Sequence, residues 1–447
     1  MTICYRIKLT ALLMVAAVNH ACPVLAQHPL APAPNPALKP APPIISLNLD
    51  GSGDSGAVVL FPCSEEAGPV CSDYDYIPCP GCGSDACSGE KCSNCDAAWK
   101  VWARAEFLYW WTDEPSVIPL VTSSPLGTAQ GDAGVLGRPD TEIVLGGNTI
   151  FDTMRPGGRY TIGYYLDDEC SLEASYTTID EESLISSSDA STASILARPF
   201  FNVETGLQDA RLIEFPGLLS GSVTATSKSD FDAVELVTRQ HAGHIGELQV
   251  HYLLGYRFTR LDDLTRINEV TTSLSGGTAG SVFNLTDEFD TRNNFHGGVG
   301  GLSIHWKNSD RWSFDLSSRM SLGGTFSKVS IGGATETTDA GGNVTTSQGG
   351  LLALGTNIGD YERSEVSWMG EFGGTARYRI ATGLVFSVGY SFMYWDNVAR
   401  ATDQIDASVN VSQIPPATLS GEARPAFSFE TGDFMAHGLR LGLEYRW

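Results

Sequence analysis

The chain has 447 residues, 42% of them hydrophobic, and a formal net charge of −24. So acidic a protein, with no run of Lys and Arg to offset the balance, is repelled by phosphate backbones, which excludes nucleic acid as a partner. The 48 glycines and the 10% aromatic share point to an all-β protein, because aromatics fill strands and glycines punctuate them.

The first 26 residues read as an export signal. Arg6 and Lys8 give a basic start, Leu9 to Val18 an apolar core, and Val24-Leu25-Ala26 a small-residue cleavage site before Gln27. A lipidated Cys22 is the alternative, but Asn19-His20-Ala21 lacks the aliphatic residue such a site expects. Losing Arg6 and Lys8 would take the formal charge from −24 to −26. Beyond this segment no run of eighteen apolar residues occurs, which excludes a membrane-spanning helix. A closed sheet is the other structure that pairs every backbone group inside hydrocarbon.

Residues 27–62 form a Pro/Ala-rich linker, extended and with little to pack. Residues 63–98 are rich in cysteine: Cys63, Cys71, Cys79, Cys82, Cys87, Cys92 and Cys95. Two CxxC pairs could wrap a tetrahedral zinc, although nine residues between them is short for a ribbon site. In an oxidising periplasm disulfides are the simpler expectation, and Cys170 makes the count even. No confident metal site and no cofactor follow.

From residue 99 the pattern changes to strict alternation. In 246–260, Leu248, Val250, Tyr252, Leu254, Tyr256 and Phe258 occupy every second position, and period two puts them on one face of a strand. At the C-terminus Leu439, Leu441, Leu443, Tyr445 and Trp447 alternate with Arg440, Gly442, Glu444 and Arg446. Ten strands are expected, near 99–111, 158–167, 170–180, 229–242, 246–260, 291–306, 310–322, 363–380, 384–396 and 435–447. Ile195 to Val203 and Gly221 to Ser227 could raise the number to twelve. Short links at 167–169, 243–245, 307–309 and 381–383 alternate with long ones. That asymmetry is typical of an antiparallel transmembrane β-barrel with short periplasmic turns and long extracellular loops. All nine tryptophans fall in these strands, which fits an interfacial girdle. A soluble β-sandwich is the rival, but a second packed sheet would not accept the arginines and glutamates on the opposite faces.

The segments Arg104 to Trp111, Pro119 to Thr122, Gly134 to Gly137, Leu145 to Gly147, Gly157 to Arg159 with Gly163 to Asp167, Arg198-Pro199-Phe200-Phe201-Asn202 and Leu254-Gly255-Tyr256-Arg257 resemble the beta-barrel porin-7 family of outer-membrane proteins. The likeness spans residues 99 to 447, with Tyr165 standing where tryptophan is expected. It implies a barrel in the outer membrane, in contact with the lipid bilayer. The strand ending in Trp447 likewise resembles the end strand that the barrel-assembly machinery recognises. The oligomeric state is not legible.

The expected inward charges are Arg104, Glu106, Arg159, Glu173, Glu247, Arg257, Arg311, Asp315, Arg319, Glu371, Arg377, Arg379, Arg440, Glu444 and Arg446. Such residues either set ion selectivity in a pore or pair with one another. Ten to twelve strands leave room for a narrow passage at most. The leading expectation is a narrow porin-like channel for passive diffusion of small polar solutes. The alternative is a closed barrel acting as a structural or adhesive surface protein through its external loops. His241 and His244 flank a turn but are too few for a metal. His251, His296, His305 and His437 are scattered, and with no organising motif an enzyme is not expected.

Overall fold

The computed structural model describes residues 100–447, except 114–116, 148–153, 168, 190–194 and 416. The export signal, the linker, Trp99 and the seven cysteines from Cys63 to Cys95 lie outside the described residues.

Sixteen strands follow one another: β1 (Val101–Thr112), β2 (Val121–Ser124), β3 (Glu142–Leu145), β4 (Met154–Tyr165), β5 (Cys170–Asp189), β6 (Ile195–Asn202), β7 (Leu207–Glu214), β8 (Leu219–Ile245), β9 (Leu248–Ser273), β10 (Val282–Lys307), β11 (Trp312–Thr338), β12 (Val344–Gln348), β13 (Gly359–Ala381), β14 (Leu384–Val398), β15 (Ser408–Val409) and β16 (Gly432–Arg446). Ten of them close a barrel in the order β1-β4-β5-β8-β9-β10-β11-β13-β14-β16. The circle shuts where β16 pairs antiparallel with β1, with Phe107 opposite Leu441. The chain is therefore an all-β, antiparallel transmembrane barrel of ten strands, with no open edge left in its wall.

The twelve-strand option is corrected. Ile195–Asn202 does form β6, but it pairs with β2, β7 and β15 in a small sheet separate from the wall. Gly221 to Ser227 is the outer part of β8. β9 runs on to Ser273 and β11 to Thr338, so these strands have more than twice the roughly 9 to 11 residues that cross a bilayer.

The periplasmic turns are short because their residues suit tight reversal. Gly246, with φ +63°, sits in the two-residue link between β8 and β9, a left-handed conformation that glycine adopts without strain. Before β5 the Asp167 carboxylate accepts from the N–H groups of Glu169 and Cys170 at 2.9 and 2.7 Å, an Asx turn.

The outer wall is apolar over a belt and polar above it. On β9, Tyr252, Leu254 and Tyr256 are exposed, and Arg260 and Asp262 succeed them on the same face, paired with each other. Trp306, Trp312, Trp368 and Trp447 lie outward on this belt, as an aromatic girdle requires. The girdle expectation does not hold for every tryptophan, since Trp102, Trp110 and Trp395 are buried inside. Period two makes this unavoidable for one of the neighbours Trp110 and Trp111.

Candidate functional site

The inward faces of the membrane belt carry a cage of ion pairs. Glu371 of β13 stands at its centre, receiving Arg159 of β4 at 2.8 Å and Arg257 of β9 at 2.6 Å. These three strands are spread around the ring, none adjacent to another, so one carboxylate braces the lumen. Arg257 also meets Glu235 at 3.0 Å, and Arg319 reaches the same glutamate at 2.9 Å. Glu106 pairs with Arg440 at 3.4 Å, and Arg440 donates to the Thr375 hydroxyl at 3.0 Å. Glu444 collects Arg104 at 2.8 Å, Arg446 at 2.9 Å and Arg377. Glu173 pairs with Arg239 at 2.6 Å, and Asp315 with His305 at 2.9 Å.

Arg159, Arg257, Glu371, Glu106, Arg440 and Glu444 are all buried. Charges in such surroundings persist only when paired and hydrogen-bonded, because each would cost several kcal/mol alone. Arg379 lines the periplasmic end of the lumen. Two expected inward residues are at turns instead. Glu247 is exposed and accepts from Trp306 Nε1 at 3.3 Å. Arg311 is exposed at the rim, donating to the Tyr378 hydroxyl at 3.2 Å. Both precede a strand, where alternation no longer dictates a side chain's direction.

Immediately outward of the cage the lumen turns apolar. Leu108, Trp110, Ile179, Phe231, Leu261, Phe295, Met369, Trp395 and Phe434 form one buried cluster drawn from eight of the ten barrel strands together with Ala233, Met393, Val398 and Ala436. Phe231 of β8 stacks on Phe434 of β16 at 5.5 Å between ring centroids. Phe295 meets Trp395 edge-on at 6.1 Å, and Trp395 Nε1 donates to Thr325 Oγ1 of β11 at 3.0 Å. Side chains of strands that are not neighbours in the wall thus touch across the lumen. Arg159 joins the two layers, its guanidinium 5.7 Å from the Trp110 ring.

Above this layer the long loops fold into the mouth of the raised wall. Arg198 of β6 is fully buried, 2.6 Å from Asp287 and 3.5 Å from Glu269. The other oxygen of Asp287 accepts from the N–H groups of Leu351, Leu352 and Ala353 at 2.8–3.0 Å. Asn293 holds both polar groups of Ala399, donating to its carbonyl at 2.8 Å and accepting from its N–H at 2.9 Å. Arg400 pairs with Asp263 at 2.5 Å.

Several of these residues escape a reading of the sequence. Glu235 and Arg239 lie in a stretch, 229–242, where Phe231, Ala233 and Val237 share their parity while Val234 and Leu236 occupy the other. Both faces look apolar there. Extending the parity of Arg257 across the short turn would have found them. Nothing local marks Arg198, Asp287 or Arg400. Cys170 opens β5 at a periplasmic turn, half-buried. His241 packs against His244 at 4.8 Å and His251 at 5.2 Å, yet among the described residues no three ligating groups converge on a metal position.

A closed ten-stranded wall, an apolar belt with aromatic rims and short turns at one end define an outer-membrane β-barrel. Residues 102–447 match the model of the beta barrel porin-7 family, and the chain belongs to that family. No curated protein matches it. Among solved structures it is similar to the outer-membrane protease OmpT of Escherichia coli, with 8% identity, 78% of this chain and 97% of that one covered, and a TM-score of 0.38. A FadL homologue of Pseudomonas aeruginosa matches with 9% identity, 78% and 90% coverage and a TM-score of 0.20. The toluene transporter TodX of P. putida matches with 8% identity, the same coverage and a TM-score of 0.22.

Proposed function

We propose that this protein is a closed outer-membrane barrel that works from its external surface rather than through its lumen. The contact between Phe231 and Phe434 across the lumen, inside a largely apolar layer, carries the reading. An ion crossing that layer would leave water for largely apolar surroundings, which costs free energy. The tall strands β8 to β11 and the loops pinned by Arg198, Asp287, Asn293 and Arg400 give a rigid platform suited to a structural or adhesive role.

The second reading is passive diffusion of small polar solutes. The family's name and the charged lumen below the apolar layer favour it, and it requires that layer to swing aside. Liposome swelling separates the two. Refolded protein in liposomes is expected to swell no faster in small sugars than protein-free vesicles. Swelling that falls with solute size would overturn the closed barrel in favour of diffusion.

The same proposal includes export through a cleaved signal at residues 1–26 and disulfides among Cys63, Cys71, Cys79, Cys82, Cys87, Cys92, Cys95 and Cys170 in the periplasm. It also has the assembly machinery recognising the last strand through Trp447. It invokes neither catalysis nor a cofactor.

A further inference from the structure

Below the cage the lumen opens to the periplasm through a cavity of about 120 Å³, lined by nine basic and five acidic side chains. This excess runs against a chain of net charge −24. Two of the nine, Arg319 and Arg440, have their carboxylates Glu235 and Glu106 in the cage rather than on the cavity wall. Setting them aside still leaves more cations than anions. A concave site with low-dielectric walls concentrates such an excess into a positive potential.

The wall also carries directional donors. Trp102, Arg319 and Arg440 line this cavity, and Trp102 Nε1, Arg319 Nε and Arg440 Nε, closed to solvent in the wall, have no hydrogen-bond partner among the described residues. Trp102 is held in place. Arg104 lies 5.0 Å from its ring, and Gly163 of β4 lies so close that a Cβ there would sit 2.2 Å from the indole. Three N–H groups in the wall, from β1, β11 and β16, thus lack an acceptor, which an anion seated against the wall could supply. The surplus of positive charge calls for a negative partner. Guanidinium groups meet oxyanions best, because their planar donors match paired oxygen atoms. The space admits an ion of phosphate size together with water.

We propose that the periplasmic mouth is a binding site for a small oxyanion bearing phosphate or carboxylate oxygens. It lies below the apolar layer, so it stands whether or not the lumen conducts. The test is calorimetric titration of inorganic phosphate into the refolded full-length chain in non-ionic detergent, at neutral pH and constant ionic strength set with chloride. The expected result is saturable heat with one site per barrel. Trp102→Phe, which removes only a donor, and Arg319→Gln should each weaken binding about tenfold, the loss of one good hydrogen bond to a charged group. Each variant is first checked for the folded band on an unheated gel. Absence of saturable heat, or equal affinity in Trp102→Phe, would overturn the proposal. So would binding that appears only after Asp73, Asp75, Asp85, Glu90 and Asp96 are changed to their amides, since the mouth would then belong to the chain's own acidic segment.

Discussion

The same strands are built in opposite senses below and above one row of residues. Below Arg260 and Asp262, β9 shows Tyr252, Leu254 and Tyr256 to the outside and turns Arg257 inward. Above that row Arg260, Asp262 and Arg266 face out, while Leu261 and Ile267 are fully buried within. The surroundings explain the reversal. Where lipid bathes the wall, apolar side chains gain nothing by hiding, and the polar ones must find partners among themselves inside. Where water bathes it, the hydrophobic effect packs an apolar core within the wall, around the ion pairs of Arg198 and Arg400.

The largest loss is expected at the centre of the cage. Glu371→Ala would leave Arg159 and Arg257 buried without their shared partner, and the barrel is expected to lose about 3–5 kcal/mol. Urea unfolding in detergent would measure it, and a loss within about 0.5 kcal/mol would mean the cage carries little weight.

The outer face offers the next test. Leu254→Arg places a charge in lipid and is expected to cost about 2–4 kcal/mol, whereas an arginine on the same face above the belt, Val270→Arg, should cost within about 0.5 kcal/mol. Equal penalties at the two sites would mean the boundary is misplaced.

How much of this was legible in the sequence follows from the same division. In the belt, apolar and charged residues alternate sharply, so the ten strands and the inward side of Arg257, Glu371 and Glu444 can be read from parity alone. Above the belt the contrast fades. From Leu219 to Lys228 serines, threonines, alanine and valine occupy both faces, and no period distinguishes a raised wall from a loop. Arg198 sits in a recognisable stretch, but its partners Glu269 and Asp287 are 71 and 89 residues away. Such pairings are properties of the closed barrel and have no local signature. The small sheet of β2, β3, β6, β7 and β15 is hidden for the same reason.

Asp287→Ala sharpens the upper half. It removes the oxygen that accepts from three N–H groups and one partner of Arg198, at about 1–3 kcal/mol for each donor left without an acceptor. Its expected mark is local: faster amide exchange and easier proteolysis at residues 349–358, with the belt unchanged. Uniform loosening of the whole barrel would contradict the separation of the two regions.

The smallest effect is set by pH in the external loop. Burial by itself would raise the Asp406 carboxyl, but the N–H groups of Ala426 and Ser408 and the Arg424 guanidinium hold it below its ordinary value of 3.8. A carboxyl lowered in the folded state lends stability above its unfolded pKa and loses it as pH falls through the folded one. Protection against exchange around Asp406 to Ile414, measured relative to the intrinsic rate at each pH, should therefore fall as pH drops below about 4. Asp406→Asn should flatten that dependence.

The central claim, that side chains seal the lumen at the outer end of the cage, is tested most directly by single-channel current in planar bilayers. Wild-type protein is expected to stay silent, and the double variant Phe231→Ala with Phe434→Ala, which thins the seal between the cage and the packed loops, to add at most brief openings. Steady ohmic current in the wild type, unaltered in the double variant, would contradict it.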